Sequence, residues 1–250
     1  MILIKLDAIN STNEYLKDNI QKNHSKETQV AYTFNQTKGK GQRGKVWTSE
    51  PDKNIALSVI FYPKNINVKD QFVLSMQFSL FILNTLKSLD IPNLKIKWPN
   101  DIMSGNSKIC GILNETKVKG SFIESFIIGF GININQVNFY DLPNASSLKL
   151  IKNIDYDLQG IVSLIFQNLK KHDYLTNALK EFSENEFQKL NHQYHLNLYK
   201  KGEFVQFINN EKEFFCAKIL EVNKKGVIKV QKEDKTIKVY NFQEIKMIIK

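Results

Sequence analysis

The chain has 250 residues, of which 42% are apolar and 24% charged, a composition that excludes a disordered or fibrous protein and is ample for one or two globular domains. A net charge of +10 favours anionic partners such as nucleotides, acidic proteins, nucleic acid or a membrane surface. The lysines are spread along the chain, so most of this charge reads as solvated surface.

Ile2–Leu6 reads as a strand, and Ser11-Thr12-Asn13-Glu14 has the spacing of a capping box that opens a helix with Leu16 and Ile20 on one face. Val30–Phe34 is a strand leading into a Gly/Lys-rich loop. Asn54–Tyr62 is β-rich and stops at Pro63. Gln71–Leu89 carries helical apolar spacing and predicts a long buried helix. Leu94–Trp98 is a short strand ended by Pro99, Ile109–Leu113 is another, and Phe122–Ile134 is a strand interrupted by Gly129 and Gly131. Helices are expected over Asp157–His172 and Tyr174–Leu190. Beyond about Tyr199 the texture changes to short strands at Phe204–Ile208, Phe214–Val222, Val227–Gln231 and Thr236–Tyr240, joined by Asn-, Gly- and Asp-containing turns, which suggests a small barrel.

Cys110 and Cys216 lie far apart in apolar runs and match neither a disulfide framework nor a metal site. His24, His172, His192 and His195 lack metal-ligand company, and His192 and His195 read as surface residues of a polar segment. The N-terminus lacks the pattern of a signal peptide, and no run of about 18 apolar residues occurs. A reducing cytoplasm is the expected location.

Chemistry concentrates in five segments. The only arginine, Arg43, stands in Gly39-Lys40-Gly41-Gln42-Arg43-Gly44-Lys45. Its planar fork suits phosphate or carboxylate, and the glycines let backbone N–H groups approach an anion. Val46 stands where a P-loop needs Ser or Thr, so this is a phosphate-type loop without the P-loop's metal hydroxyl. Lys97-Trp98-Pro99-Asn100-Asp101 places Asn100 and Asp101 at a strand exit, where Asp101 could hold Mg²⁺ or simply form a turn. Lys108 enters the apolar Ile109-Cys110-Gly111-Ile112-Leu113 run. Gly129-Phe130-Gly131-Ile132-Asn133 is no dinucleotide fingerprint, because its glycines do not open a helix. Ser11 and Thr12 cap a helix and are free to face a pocket as well.

In their order along the chain, these segments resemble the biotin protein ligases: Ser11-Thr12-Asn13; Gln36 with Gly39-Lys40-Gly41-Gln42-Arg43-Gly44 and Trp47; Trp98-Pro99-Asn100-Asp101; Lys108 with Gly111; Gly129 with Gly131 and Asn133. The resemblance implies an α+β fold, with a mixed sheet and flanking helices of the class II synthetase kind over residues 1–198 and a small SH3-like barrel over 199–250. It implies the short class without an N-terminal DNA-binding domain. It implies condensation of biotin with ATP and Mg²⁺ to biotinyl-5′-AMP, followed by transfer to a lysine of a carboxylase's biotin carboxyl carrier domain. The expected partners include neither nucleic acid nor membrane, and a homodimer is left open.

By the same resemblance, Ser11, Thr12, Asn13, Gln36, Gly39, Lys40, Gly41, Gln42, Lys108 and Gly111 bind biotin. Arg43, Lys45, Trp47, Asn100, Asp101 and Asn133 face the nucleotide, with Asp101 on the metal. Lys108, Arg43 and Lys45 are the catalytic cations. The loop departs from the family's usual Gly-Arg-Gly-Arg, so Arg43 and Lys45 both stay candidates for the phosphates. A lid over about residues 37–47, ordered by ligand, is expected. The alternatives are a lipoate ligase or octanoyl transferase of the same fold, and a non-catalytic basic module that binds nucleic acid.

Overall fold

The computed structural model describes residues 1–23, 26–140, 142–171 and 181–249. Seven strands build its main sheet: β1 Ile2–Lys5, β3 Gln29–Thr33, β7 Asn54–Phe61, β8 Leu94–Lys97, β9 Asp101–Ser104, β10 Ser107–Lys119 and β11 Phe122–Asn133. Their order across the sheet is β1-β3-β7-β11-β10-β9-β8. β1 and β3 are parallel, and every other neighbouring pair is antiparallel. Two short pairs lie outside it. Ala8–Ile9 (β2) runs parallel to Asn35–Gln36 (β4), and Gly39–Lys40 (β5) pairs antiparallel with Val46–Trp47 (β6).

Side-chain alternation sorts the sheet into two unlike faces. On β7, Ile55, Leu57, Val59 and Phe61 join the main core, as do Phe126, Ile128, Phe130 and Ile132 on β11. Among the described residues five α-helices accompany the sheet: α1 Thr12–Asn23, α2 Gln71–Lys87, α3 Leu148–Lys152, α4 Leu158–Lys171 and α5 Glu184–Leu196. α2 covers the core face and is apolar nearly all round, because the sheet lies on one side and α4 and α5 pack on the other. Phe61 packs between Phe78 and Phe126 at ring-centroid distances of 5.2 and 5.4 Å. On the opposite face, α1 sets Leu16 against Ala31, Ile60 and Ile127. Farther along, that face carries Ala56, Ser58, Gly111, Gly129 and Gly131.

A second sheet, all antiparallel, comprises β12 Phe204–Asn209, β13 Phe214–Val222, β14 Ile228–Lys232, β15 Ile237–Tyr240 and β16 Ile245–Met247, in the order β15-β14-β13-β12-β16. This is the small C-terminal β unit expected from the sequence, with β16 added. Its end strands β15 and β16 are not paired with each other among the described residues. Trp98 ties it to the first sheet by donating its indole N–H to the Gly226 carbonyl at 3.0 Å.

The structure departs from expectation in several places. β11 is continuous through Gly129 and Gly131, since both stay in register with β7 and β10. β10 runs well past Leu113, because residues 114–119 continue to pair with β11. The helix expected over Tyr174–Leu190 lies partly outside the described residues, and α5 starts at the Ser183 capping box and reaches Leu196. His24 and His172 lie outside the described residues as well. The Glu14 carboxylate pairs with Lys40. His195 is buried rather than on the surface. Its Nδ1 faces the Asn191 carbonyl at 2.7 Å, and its Nε2 accepts the Val222 N–H at 2.8 Å, which requires the neutral Nδ1–H ring.

Burial lowers the His195 pKa from its ordinary 6.5. As pH drops below that value the unfolded chain takes up a proton that the folded ring resists. Stability therefore falls with decreasing pH until the folded pKa is passed. The melting midpoint is expected to drop below about pH 6.5, and the drop should be shallower in His195→Gln. Equal slopes for the two proteins would exclude His195 as the cause.

Candidate active site

Cross-strand register explains the floor of the site. Lys97, Asp101, Gly111, Gly131 and Ala56 lie side by side across β8, β9, β10, β11 and β7. The next row is Leu113, Gly129 and Ser58. The middle of this surface is bare backbone. Three strand spacings separate Asp101 from Ala56, roughly 14 Å. Above it lies a cavity of about 470 Å³.

The bare floor is already in close contact with two side chains. A Cβ on Gly131 would run into the Trp47 indole, one on Gly111 would fall 2.7 Å from Trp47 Cζ3, and one on Gly129 would strike Asn13 Oδ1. The β5–β6 hairpin brings Trp47 there. Gly39 pairs with Trp47 and Lys40 with Val46, and the Gly41 N–H closes the loop on the Lys45 carbonyl at 2.7 Å. Arg43 sits at the exposed tip with φ of 58°.

One end of the cavity is a buried polar cluster. Ser11, Thr12, Asn13 and Ser58 are all buried. Gln36 Oε1 accepts the Thr12 N–H at 3.0 Å, and the Thr12 and Ser58 hydroxyls are 2.6 Å apart. The other end is cationic. Lys108 Nζ lies 2.6 Å from Asp101 Oδ1 and 5.3 Å from the centre of a Trp47 ring, and Lys97 Nζ lies 3.9 Å from Asp101 Oδ2.

Strict alternation from Cys110 and Ile112 would turn Lys108 into the core. A bulge between Lys108 and Cys110 turns it to the cavity instead. Burial depresses the Lys97 pKa, Asp101 opposes that, and Lys108, Lys246 and Lys45 add to the depression. Lys45 is thus within electrostatic reach of the corner.

Asn100 and Asn133 act on backbone. The Asn100 amide donates to the Ile112 carbonyl at 2.7 Å, and that of Asn133 to the Ser146 carbonyl at 3.0 Å. All the residues expected at the site except Gly39 line the cavity, and Gly39 is buried within the hairpin, against Trp47. Among the described lining residues, Lys40, Arg43, Lys45, Lys97, Lys108 and Lys246 stand against a single carboxylate, Asp101, so the chamber suits an anion. No group of three or more His, Cys, Asp or Glu residues that could hold a metal occurs among the described residues.

Sequence reasoning missed Ala56, Ser58, Glu115, Lys246 and the lining stretch at 142–145. Ala56 and Ser58 carry a usable signal: small residues at alternate positions of an otherwise apolar strand, as at Gly129 and Gly131. Lys246 carries none, since its approach depends on how the second sheet packs.

Residues 6–133 match the biotin/lipoate A/B protein ligase family. The chain belongs to that family. The bifunctional ligase/repressor BirA of Bacillus spizizenii is 30% identical over 183 residues, covering 70% of this chain and 55% of that protein. A biotin–[acetyl-CoA-carboxylase] ligase of Mycobacterium tuberculosis is 29% identical over 144 residues, covering 56% of this chain and 52% of that protein. The chain thus spans about half the length of these curated relatives. The structure of the Aquifex aeolicus biotin protein ligase in complex with biotin and ATP superposes with a TM-score of 0.77 at 25% identity, covering 99% of both chains.

In this member of the family the floor depends on glycine, which makes its packing open to a direct test. Gly131→Ala should expel the Trp47 indole and red-shift its fluorescence, while Trp98, held by Gly226, keeps its buried signal. An unchanged emission spectrum would contradict the close contact.

Proposed function

We propose that this chain joins biotin to protein in two steps. The biotin carboxylate attacks the α-phosphate of ATP, forming biotinyl-5′-AMP and releasing pyrophosphate. The ε-amine of a lysine on a biotin carboxyl carrier domain then attacks the acyl carbon, forming an amide and releasing AMP. The observation that carries this reading is the pairing of a buried polar end with a cationic end across a floor of bare backbone.

The difficulty of the first step is electrostatic. Two unit charges 4 Å apart repel by about 4 kcal/mol at an effective dielectric of 20, against about 1 in water. Lys108, backed by Lys97 and Lys45, supplies the opposing charge on this reading, and Arg43 is carried by the same hairpin as Lys45. The acyl phosphate must also be kept from water, a task for residues 37–47 as a lid, with Trp47 against the adenine. Asp101 holds Lys108 in place. It is the one carboxylate among the described lining residues, which fits Mg²⁺ carried mainly by nucleotide phosphates and not a protein cage. Mg²⁺ would supply further neutralisation of phosphate charge. Residues 1–198 would form the catalytic unit and 199–250 its C-terminal companion. The free Cys110 and Cys216 suit a reducing cytoplasm.

The family also contains lipoate enzymes, and the polar end favours biotin over lipoate. Ser11, Thr12 and Gln36 match the ureido group, whereas a dithiolane would leave buried polar groups unpaired. The wild-type chain is expected to catalyse ATP–pyrophosphate exchange with biotin and not with lipoate, and to add biotin to a purified carrier domain, read by mass. Exchange driven by lipoate would overturn the assignment. Lys108→Ala should slow the biotin-dependent exchange by about 100-fold or more while the protein stays folded, and a near-normal rate would remove the role given to Lys108. Biotin with ATP should slow tryptic cleavage within residues 37–47, and equal cleavage rates would dispose of the lid.

A further inference from the structure

The polar end of the cavity continues from the buried cluster to a partly exposed carboxylate outside the lining. Glu115 Oε2 accepts from Asn13 Nδ2 at 2.7 Å, and its other oxygen pairs with Lys17. Asn13 Oδ1 accepts from the Ser58 hydroxyl at 2.6 Å. Ser58 Oγ in turn lies 2.6 Å from Thr12 Oγ1. We infer that Glu115 is a positioning residue that sets the direction of this whole relay and thereby makes Thr12 present lone pairs to the cavity.

The argument is one of proton counting. An ionised carboxylate can only accept, so the Asn13 amide must turn its NH₂ group to Glu115 and its oxygen to Ser58. Ser58 has one proton and gives it to that oxygen. Ser58 must therefore accept from Thr12. The other acceptor near the Thr12 hydroxyl, Gln36 Oε1, is farther away at 3.3 Å and already takes the Thr12 N–H. With its proton committed inward, Thr12 Oγ1 offers only acceptor capacity to a ligand. Gln36, whose oxygen is likewise occupied, has its NH₂ group left as a donor.

The cluster therefore selects a ligand with N–H donors beside a carbonyl, which is the pattern of a cyclic urea. Because Thr12, Asn13 and Ser58 are buried, a ligand of the wrong pattern leaves groups that water cannot satisfy. This inference rests on the proposed biotin reading and deepens it. Asn13 acts on this account as the brace of the site, with its NH₂ group on Glu115 and its oxygen on Ser58.

The test is calorimetric titration of the wild-type chain, Glu115→Gln and Ser58→Ala with biotin, with a biotin methylated on a ureido nitrogen, and with ATP. Glutamine can donate as well as accept, so it removes the fixed direction while keeping the size. Ser58→Ala breaks the relay at its middle without changing charge. Both variants should bind biotin about tenfold more weakly, equivalent to about 1.4 kcal/mol. Both should discriminate less against the methylated ligand while ATP affinity stays near wild type, and Ser58→Ala should also lower the melting midpoint, because the buried Asn13 Oδ1 loses its donor. Unchanged biotin affinity and discrimination in both variants overturn the inference. So does an equal loss of ATP affinity, which would mark a general structural defect. Failure of the wild-type chain itself to bind biotin would instead remove the functional reading beneath it.

Discussion

A sheet face that serves as a floor must give up its own side chains. Here that constraint falls on three neighbouring strands at once: Gly111, Gly131 and Ala56 stand in one row, and Gly129 and Ser58 in the next. The opposite face of the same strands is filled with Ile, Leu and Phe, so strand stability there comes from one side only. The long apolar helix α2 follows from this asymmetry. It supplies the burial that the glycine face cannot, and it leaves the backbone of β10 and β11 free to receive Trp47 and Asn13.

The ends of the floor are made by two different devices. At the polar end a helix start brings Ser11, Thr12 and Asn13 over the sheet, and strand residues Ser58 and Glu115 fasten them from below. At the cationic end the tight link between β8 and β9 sets Lys97 beside Asp101, and a bulge in β10 swings Lys108 to meet them. Lys97 is costly to bury, as its lowered pKa records, and Asp101 offsets part of that cost. On the proposed reading an incoming phosphate would share these lysines with Asp101, whose carboxylate otherwise holds the corner together.

Helix α2 and the strands around it are legible in the sequence because their apolar pattern is set locally and Pro63 and Pro99 mark their boundaries. The glycines of β11 mislead. An isolated glycine in a strand reads as a break when the side chain occupying its space comes from elsewhere, here Asn13 and Trp47. His195 misleads for a related reason: its polar neighbours suggest surface, and its burial is decided by the Val222 N–H across the interface between α5 and β13. The site's motifs are legible as types of residue. The direction in which Lys108 points is not, since a one-residue bulge decides it.

The second sheet belongs to the same physical argument. Trp98 lies between Lys97 and the Pro99-Asn100-Asp101 turn, and its indole N–H is satisfied by the Gly226 carbonyl of the β13–β14 turn. Gly226 has φ of 82°, and a side chain there would strike Phe72 of α2, so both the conformation and the close approach require glycine. Lys246 on β16 then reaches the cationic corner from the far side and lowers the Lys97 pKa further. The positive charge that would meet an incoming phosphate is therefore shared between the two sheets, and the placement of Asp101 depends on a hydrogen bond to the second as well as on the strand pairing of the first.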